Sequence, residues 1–273
     1  MSNAAPGPIK ELLIPPTNAM LVGGQALALW VNALDLPIPD ALSAGVTVDV
    51  DYLGSKVDAH EHWKILSVAA DKQSMRAEVH FPSPGDTTPN AAKITILRGT
   101  NVEAEIDYLC HLVGYVGLDE ERLKNRAIVV EGLFAPGTEL RVMHPFDCLR
   151  SRLHNLFSLP SKRNILHVAQ ANLSLSVLKA YLSRLTKEPD PRPELLPLLE
   201  ELIVLAASRA GVCAYNEFGV DALSCLPDSD LPERFLTIRL PQARAYVDRR
   251  RYGRRGGRTS NPVDLRPHQM PSP

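Results

Sequence analysis

The sequence predicts a mixed α/β (α+β) sheet with flanking helices, followed by a C-terminal helical bundle. Three features predict it. From Met20 to Met143 short apolar runs alternate with turns. After His144-Pro145 long helical periodicities replace them. From Tyr252 onward the chain is too rich in Gly, Pro and Arg to pack. The expected divisions are therefore 1–143 for the sheet domain, 144–251 for the helical domain and 252–273 for a disordered basic, Pro-rich tail.

The first predicted strand is Ala19–Val22, which Gly23-Gly24 breaks just before a helical run beginning at Gln25. Further strands are expected at Val46–Leu53, Met75–Phe81, Lys93–Leu97, Val102–Leu109, Ala127–Val130 and Glu139–Met143, each bounded by Gly, Pro, Asn or Asp. One helix, Val57 to Ala70, interrupts them. Pro145 suits a first helical position and Asp147 a first turn, so a helix is expected from Phe146 to Leu156. Longer helices are predicted from Lys162 to Thr186, Glu194 to Ala214 and Glu233 to Arg251, with a stiff Pro-rich connector over 188–193.

Composition excludes several classes. The 273 residues are long enough for two modest domains or one large one, and 45% hydrophobic with 22% charged residues is ordinary for a soluble globular chain. No apolar stretch approaches the roughly 18 to 20 residues of a membrane span, and the first residues lack a signal-peptide pattern, so a cytoplasmic protein is expected. Cys110, Cys148, Cys213 and Cys225 form no C-x-x-C pair and are each expected to be small buried hydrophobes. His60-Glu61-His62 lacks the spacing of a zinc helix and is expected at the surface. No Walker, dinucleotide or G-x-S-x-G motif occurs. Net charge is −1, yet seven arginines between Arg244 and Arg258 face a single acid there, Asp248, which makes the C-terminal end an anion-seeking arm on an acidic body.

The most informative pattern is Asp49-Val50-Asp51 behind that Gly-Gly turn. On a strand the two carboxylates share one face about 7 Å apart, a spacing that lets them hold one Mg²⁺ or bracket two. The turn leads into a helix N-terminus, whose unpaired N–H groups suit phosphate. A D-x-D pair is as often a solvated strand face, so a third acid matters. Glu103, Glu105 and Asp107 alternate with apolar residues on one expected strand, and such a row repels itself unless a basic group lies opposite or the strand is an exposed edge.

The order Leu21-Val22-Gly23-Gly24-Gln25-Ala26, Thr47-x-Asp49-x-Asp51, Ile106-Asp107-Tyr108-Leu109 and Val142-Met143-His144-Pro145-x-x-x-Leu149-x-Ser151-Arg152-Leu153 resembles nucleotidyltransferase-fold proteins of the AbiEii toxin type, over roughly residues 18 to 180. The resemblance implies a nucleotidyltransferase-like sheet in which Gly23, Gly24 and Gln25 cradle a nucleoside triphosphate. It implies that Asp49 and Asp51 bind Mg²⁺ with the nucleotide, and that Asp107, rather than Glu105, completes the metal site and helps activate the attacking hydroxyl. Arg152 stands where the family has a phosphate-binding lysine, and Lys162 and Arg163 open the next helix where more basic contacts are expected. Gly24 stands where many members have serine, and Lys162-Arg163-Asn164 replaces a Lys-Asp pair. The activity so implied is Mg²⁺-dependent transfer of a nucleoside monophosphate onto an RNA or protein hydroxyl. RNA, tRNA included, would be reached through the Arg-rich tail, although such a tail is as often merely solubilising. A toxin with a cognate antitoxin, or a phage-defence protein, fits that resemblance. The alternatives are a nucleotide- or RNA-binding regulator with a degenerate site and a structural protein whose acids are a solvated face. The loop Asp86–Asn90 is expected either to shape the pocket or to be a simple turn.

Overall fold

The computed structural model describes residues 18–42, 49–131, 139–189, 192–227 and 231–253. Among them a seven-stranded mixed sheet takes the order β3-β4-β5-β2-β1-β7-β6. Its strands are β1 (Met20–Val22), β2 (Val50–Leu53), β3 (Arg76–His80), β4 (Asn90–Arg98), β5 (Asn101–Leu109), β6 (Ile128–Glu131) and β7 (Glu139–Val142). β2 lies parallel to β5 and β1 parallel to β7, while β1/β2, β3/β4, β4/β5 and β6/β7 are antiparallel.

Helix α1 (Gly23–Ala33) leaves β1 without an intervening loop. It is pinned by Trp30, whose indole N–H donates to the Met143 carbonyl at 2.8 Å, just past β7. Helix α2 (Lys56–Asp71) starts ahead of its apolar pattern, because Ser55 and Asp58 form a capping box. It covers the sheet face that carries Tyr52 and Tyr108. His62, fully buried, shares a 2.7 Å hydrogen bond with the Tyr108 hydroxyl, so it is a core residue and not the surface residue expected. The cysteines divide likewise: Cys148, Cys213 and Cys225 are buried, but Cys110 is exposed beside His111.

Helix α3 (Leu118–Arg126) has no counterpart among the predicted elements. Only Leu123 is buried in it, so it carries no apolar period; its signal is charge, with three acids in the first turn and Lys124 and Arg126 in the last. Helix α4 (Pro145–Ser158) opens with Pro145 at N1, and the His144 imidazole caps it by accepting from the Phe146 N–H at 3.0 Å.

The predicted helix from Lys162 is shorter than expected: Pro160–Lys162 form a 3₁₀ turn, and α5 (Ile165–Leu185) begins after Asn164, whose Oδ1 caps the His167 N–H. Arg163 donates to the Leu156 and Phe157 carbonyls at the end of α4, a structural duty rather than a ligand contact. The expected helix 194–214 is two: Ser208 ends α6 (Arg192–Ala207) and caps α7 (Arg209–Phe218) through the Gly211 N–H. A π-helical turn, Phe235–Arg239, leads into α8 (Leu240–Tyr252).

Apolar side chains gather in two clusters. One packs the sheet, α1 and α2 and takes in Leu173 and Val177 from α5. The other runs from Phe146 to Val247 through α4–α8. Polar ties cross between the sheet region and these helices: Arg126 donates twice to Glu201 at 2.6 and 2.7 Å, and Arg150 donates to Asp119 at 2.7 Å. Arg251, expected in the anion-seeking arm, is buried against Asp221, while residues 254–273 lie outside the described residues. Among the described residues no helix is long and apolar enough to cross a membrane.

Candidate functional site

Register builds the site. Val22 of β1 lies opposite Asp51 of β2, Asp51 opposite Asp107 of β5, Asp107 opposite Lys93 of β4, and Lys93 opposite His80 of β3. Directly paired residues point to the same face, so these five form one row across the sheet, on the face opposite Tyr52 and Tyr108. The acids of β5 meet the basic groups that such a row requires. Lys93 Nζ lies 3.2 Å from Glu105 and 3.7 Å from Asp107, and Arg98 Nε lies 3.1 Å from Glu103.

At the β1 end of the row the Gly-Gly turn closes against Asp51. Gly23 has φ +66°, and a Cβ there would stand 2.2 Å from Asp51 Oδ2, so only glycine lets the carboxylate approach this backbone. The N-terminus of α1 has no side-chain cap and no acid in its first turn. The positive end of the helix dipole therefore lies in the neighbourhood of Asp51, where it favours an anion. Gly24 is buried and Gln25 half-buried in that first turn.

Burial, reinforced by Asp107, pushes the Asp51 carboxyl up to about 6; Arg152 and Lys162 pull it down, and Asp49 pushes it up again. Asp107 is also raised, chiefly by burial, although Lys93 opposes this. Asp107 Oδ1 accepts from Asn90 Nδ2 at 2.9 Å. Asp49 is not on the strand as expected. It sits exposed in a bend just before β2, and the predicted stretch 46–48 lies outside the described residues. It still acts electrostatically on both other acids.

The basic side comes from the helices. Arg152 of α4 is 9% exposed, its Nη2 has no hydrogen-bond partner, and burial lowers its pKa. Lys162, on the 3₁₀ turn, lies near enough to act on Asp51. Sequence reasoning does not find His167; burial, Lys162 and Arg152 push it down to about 4, so it is neutral at pH 7. Nothing in its spacing marks it, because a 3₁₀ turn and a helix cap bring it beside Lys162. Arg152 and Asp51 attract each other but form no ion pair, which leaves a buried cation and a proton-favouring carboxyl side by side.

Among the described residues no group of three or more His, Cys, Asp or Glu side chains is gathered closely enough to hold a metal ion unaided. Asn90 and Lys93 lie against Asp107 instead. The in-register pair of candidate ligands is Asp51 and Asp107, whose carboxylate oxygens are of the type a hard cation such as Mg²⁺ takes. The unpartnered Arg152 nitrogen in turn calls for an anion.

No protein-family model and no curated protein matches the chain. Among solved structures, the crystal structure of the Megavirus polyadenylate synthase is similar over 66% of this chain, at 12% identity and a TM-score of 0.38. This chain spans only 36% of that one, and a likeness at that level says nothing of its activity.

Proposed function

We propose that the chain is a Mg²⁺-dependent nucleotidyltransferase that moves a nucleoside monophosphate from a triphosphate onto a hydroxyl. The observation that carries this reading is the pairing of unmet needs around Asp51. A buried arginine nitrogen lacks a partner, burial holds two in-register carboxyls toward their protonated forms, and a helix N-terminus without a side-chain cap opens beside them. A metal-bound triphosphate meets all three needs at once.

Held by Asp49, Asp51 and Asp107, Mg²⁺ would offset the triphosphate charge and polarise the α-phosphate. The Gly23-Gly24 backbone and the α1 N–H groups receive phosphate oxygens. Arg152 and Lys162 neutralise the phosphates, Arg152 in a setting where burial strengthens each contact. The acceptor oxygen forms a bond to the α-phosphorus as the α–β bridging bond breaks, pyrophosphate departs, and Asp107 takes the hydroxyl proton. Neutral His167 donates its Nδ1 proton to Asn164 Oδ1 at 2.8 Å, so its role beside Lys162 is positional and it contributes no donor to the phosphates.

A nucleoside triphosphate substrate fits a cytoplasmic protein, and a cognate antitoxin would fit the toxin role that the AbiEii resemblance implies. One observation favours a second reading, a nucleotide-binding regulator without turnover: the Lys93 ammonium already stands beside Asp107, where a cation would bind. The two separate by incubating the full chain with each α-³²P nucleoside triphosphate, Mg²⁺, RNA and cell extract, beside an Asp49→Ala/Asp51→Ala double variant. Label transferred by the wild type alone supports the transferase. Mg²⁺-dependent binding with no transfer supports the regulator.

A further inference from the structure

Beyond Asp107 the polar row runs into a cleft of about 310 Å³ at the β3–β4 edge. His80, Asp86, Thr87, Thr88, Asn90 and Lys93 line it, with only Pro82 and Ala92 as apolar walls. Its rim is ordered by its own side chains: Asp86 accepts from the Ser83 N–H at 2.8 Å and Thr88 Oγ1 from the Asn90 N–H at 3.2 Å. Asn90 and Lys93 belong to both places, since each lines the cleft and contacts Asp107.

We propose that this cleft is the acceptor subsite and that it takes the terminal nucleotide of an RNA strand. The inference rests on the transferase reading above. In an in-line displacement the attacking oxygen approaches opposite the leaving pyrophosphate. The phosphate-binding turn, Arg152 and Lys162 gather around Asp51 at one end of the row, so the attacking hydroxyl enters from the Lys93 and His80 end. Neighbouring strands are about 4.8 Å apart, which puts Lys93 one strand and His80 two strands beyond Asp107. A terminal ribose hydroxyl at Asp107 thus leaves the rest of its nucleotide over Lys93 and His80.

The lining selects the class. Two hydroxyls, an amide, an ammonium and an imidazole supply donors, the groups that contact phosphate and sugar oxygens, beside one carboxylate, Asp86, whose Oδ2 is taken up by the Ser83 N–H. The volume, at the low end of the roughly 300–1,000 Å³ of small-molecule sites, suits one nucleotide. Few apolar walls remain to receive a protein side chain.

The test uses the full chain, wild type and with His80→Ala or Thr87→Ala, and two readouts. The first is binding of a 5′-fluorescein hexaribonucleotide with a free 3′ terminus, measured by anisotropy at fixed salt beside the same RNA carrying a 3′-terminal phosphate. The second is the rise in melting temperature with Mg²⁺ and a non-hydrolysable nucleoside triphosphate. Both variants are expected to weaken the free-ended RNA about tenfold, as loss of a hydrogen bond to a charged group would, and to keep the nucleotide-induced melting shift. Wild type is expected to prefer the free terminus. RNA affinity unchanged in both variants, or indifference to the terminus, overturns the cleft assignment. Label transferred to protein in place of RNA overturns the acceptor class. A wild type that binds RNA at the cleft but shows neither melting shift nor transfer overturns the transferase reading instead.

Discussion

Replacing Asp51 with asparagine is expected to stabilise the ligand-free protein while abolishing activity. The carboxyl rises from its ordinary 3.8 to about 6 with the attraction of Arg152 and Lys162 already counted. At 1.36 kcal/mol per pH unit this disfavours the ionised form by about 3 kcal/mol, or about 2 kcal/mol once solvent around a part-buried group is allowed for. Because the folded-state pKa is the higher one, the folded chain holds more protons between pH 3.8 and about 6. Wild-type stability from this group therefore falls as pH rises through that window and levels off above it. Urea unfolding of both proteins from pH 4 to 8 reads the difference, since other carboxylates titrate in both. The Asp51→Asn variant should match wild type near pH 4 and exceed it by about 2 kcal/mol above pH 6.5. Mg²⁺ and nucleotide should reverse that order, because at a hundredfold excess over Kd only the wild type gains about 2.7 kcal/mol. A difference that is flat with pH, or an Asp51→Asn variant less stable than wild type at pH 7.5, would overturn this account of the buried carboxyl.

Three further outcomes follow from neighbouring residues. Arg152→Met removes a buried, unpartnered guanidinium and should leave the ligand-free melting temperature unchanged or higher while cancelling the nucleotide-induced rise. Gly23→Ala should cost about 1–2 kcal/mol for the left-handed backbone alone. It should cost more while Asp51 stands 2.2 Å from the new Cβ, so a double-mutant cycle with Asp51→Ala in urea should show positive coupling. Arg126→Ala breaks the tie to Glu201 and leaves Asp147 buried without its cation, which should cost about 3 kcal/mol; adding Asp147→Asn should recover part of it.

The strands are legible in the sequence because the faces of the sheet leave period-2 or continuous apolar runs, and every predicted strand that falls among the described residues has a counterpart. Helix α3 is not, since its single buried leucine gives no period to read. The break at Ser208 hides inside an unbroken apolar helix pattern that only a capping hydroxyl interrupts. In the site, Gly23, Asp51 and Asp107 are readable as local chemistry, but their order across the sheet is not. Parallel pairing of β2 with β5 joins Asp51 to Asp107, far apart in the chain, in a register that no local signal encodes. His80 and Lys93 escape sequence reasoning for the same reason, and His167 because the Asn164 cap that sets the start of its helix leaves no periodic signal.

Chain order also explains why Asp51 and Arg152 are not joined in an ion pair. The acids sit on or beside strands before Met143, while Arg152, Lys162 and His167 come from α4, a 3₁₀ turn and α5 after it. An ion pair between Asp51 and Arg152 would satisfy both and close the space between them. Instead, Gly23 holds the carboxylate against the turn, and Arg152 keeps a nitrogen without a partner. Two opposite charges kept apart in a part-buried setting each carry a desolvation penalty that their mutual attraction and Lys162 offset only in part. A ligand bearing both signs relieves both penalties, so its binding is expected to tie the sheet to the helices. Hydrogen exchange should then show new protection in β2 and in α4 together when Mg²⁺ and nucleotide are added, and protection confined to one of them would argue against a shared ligand.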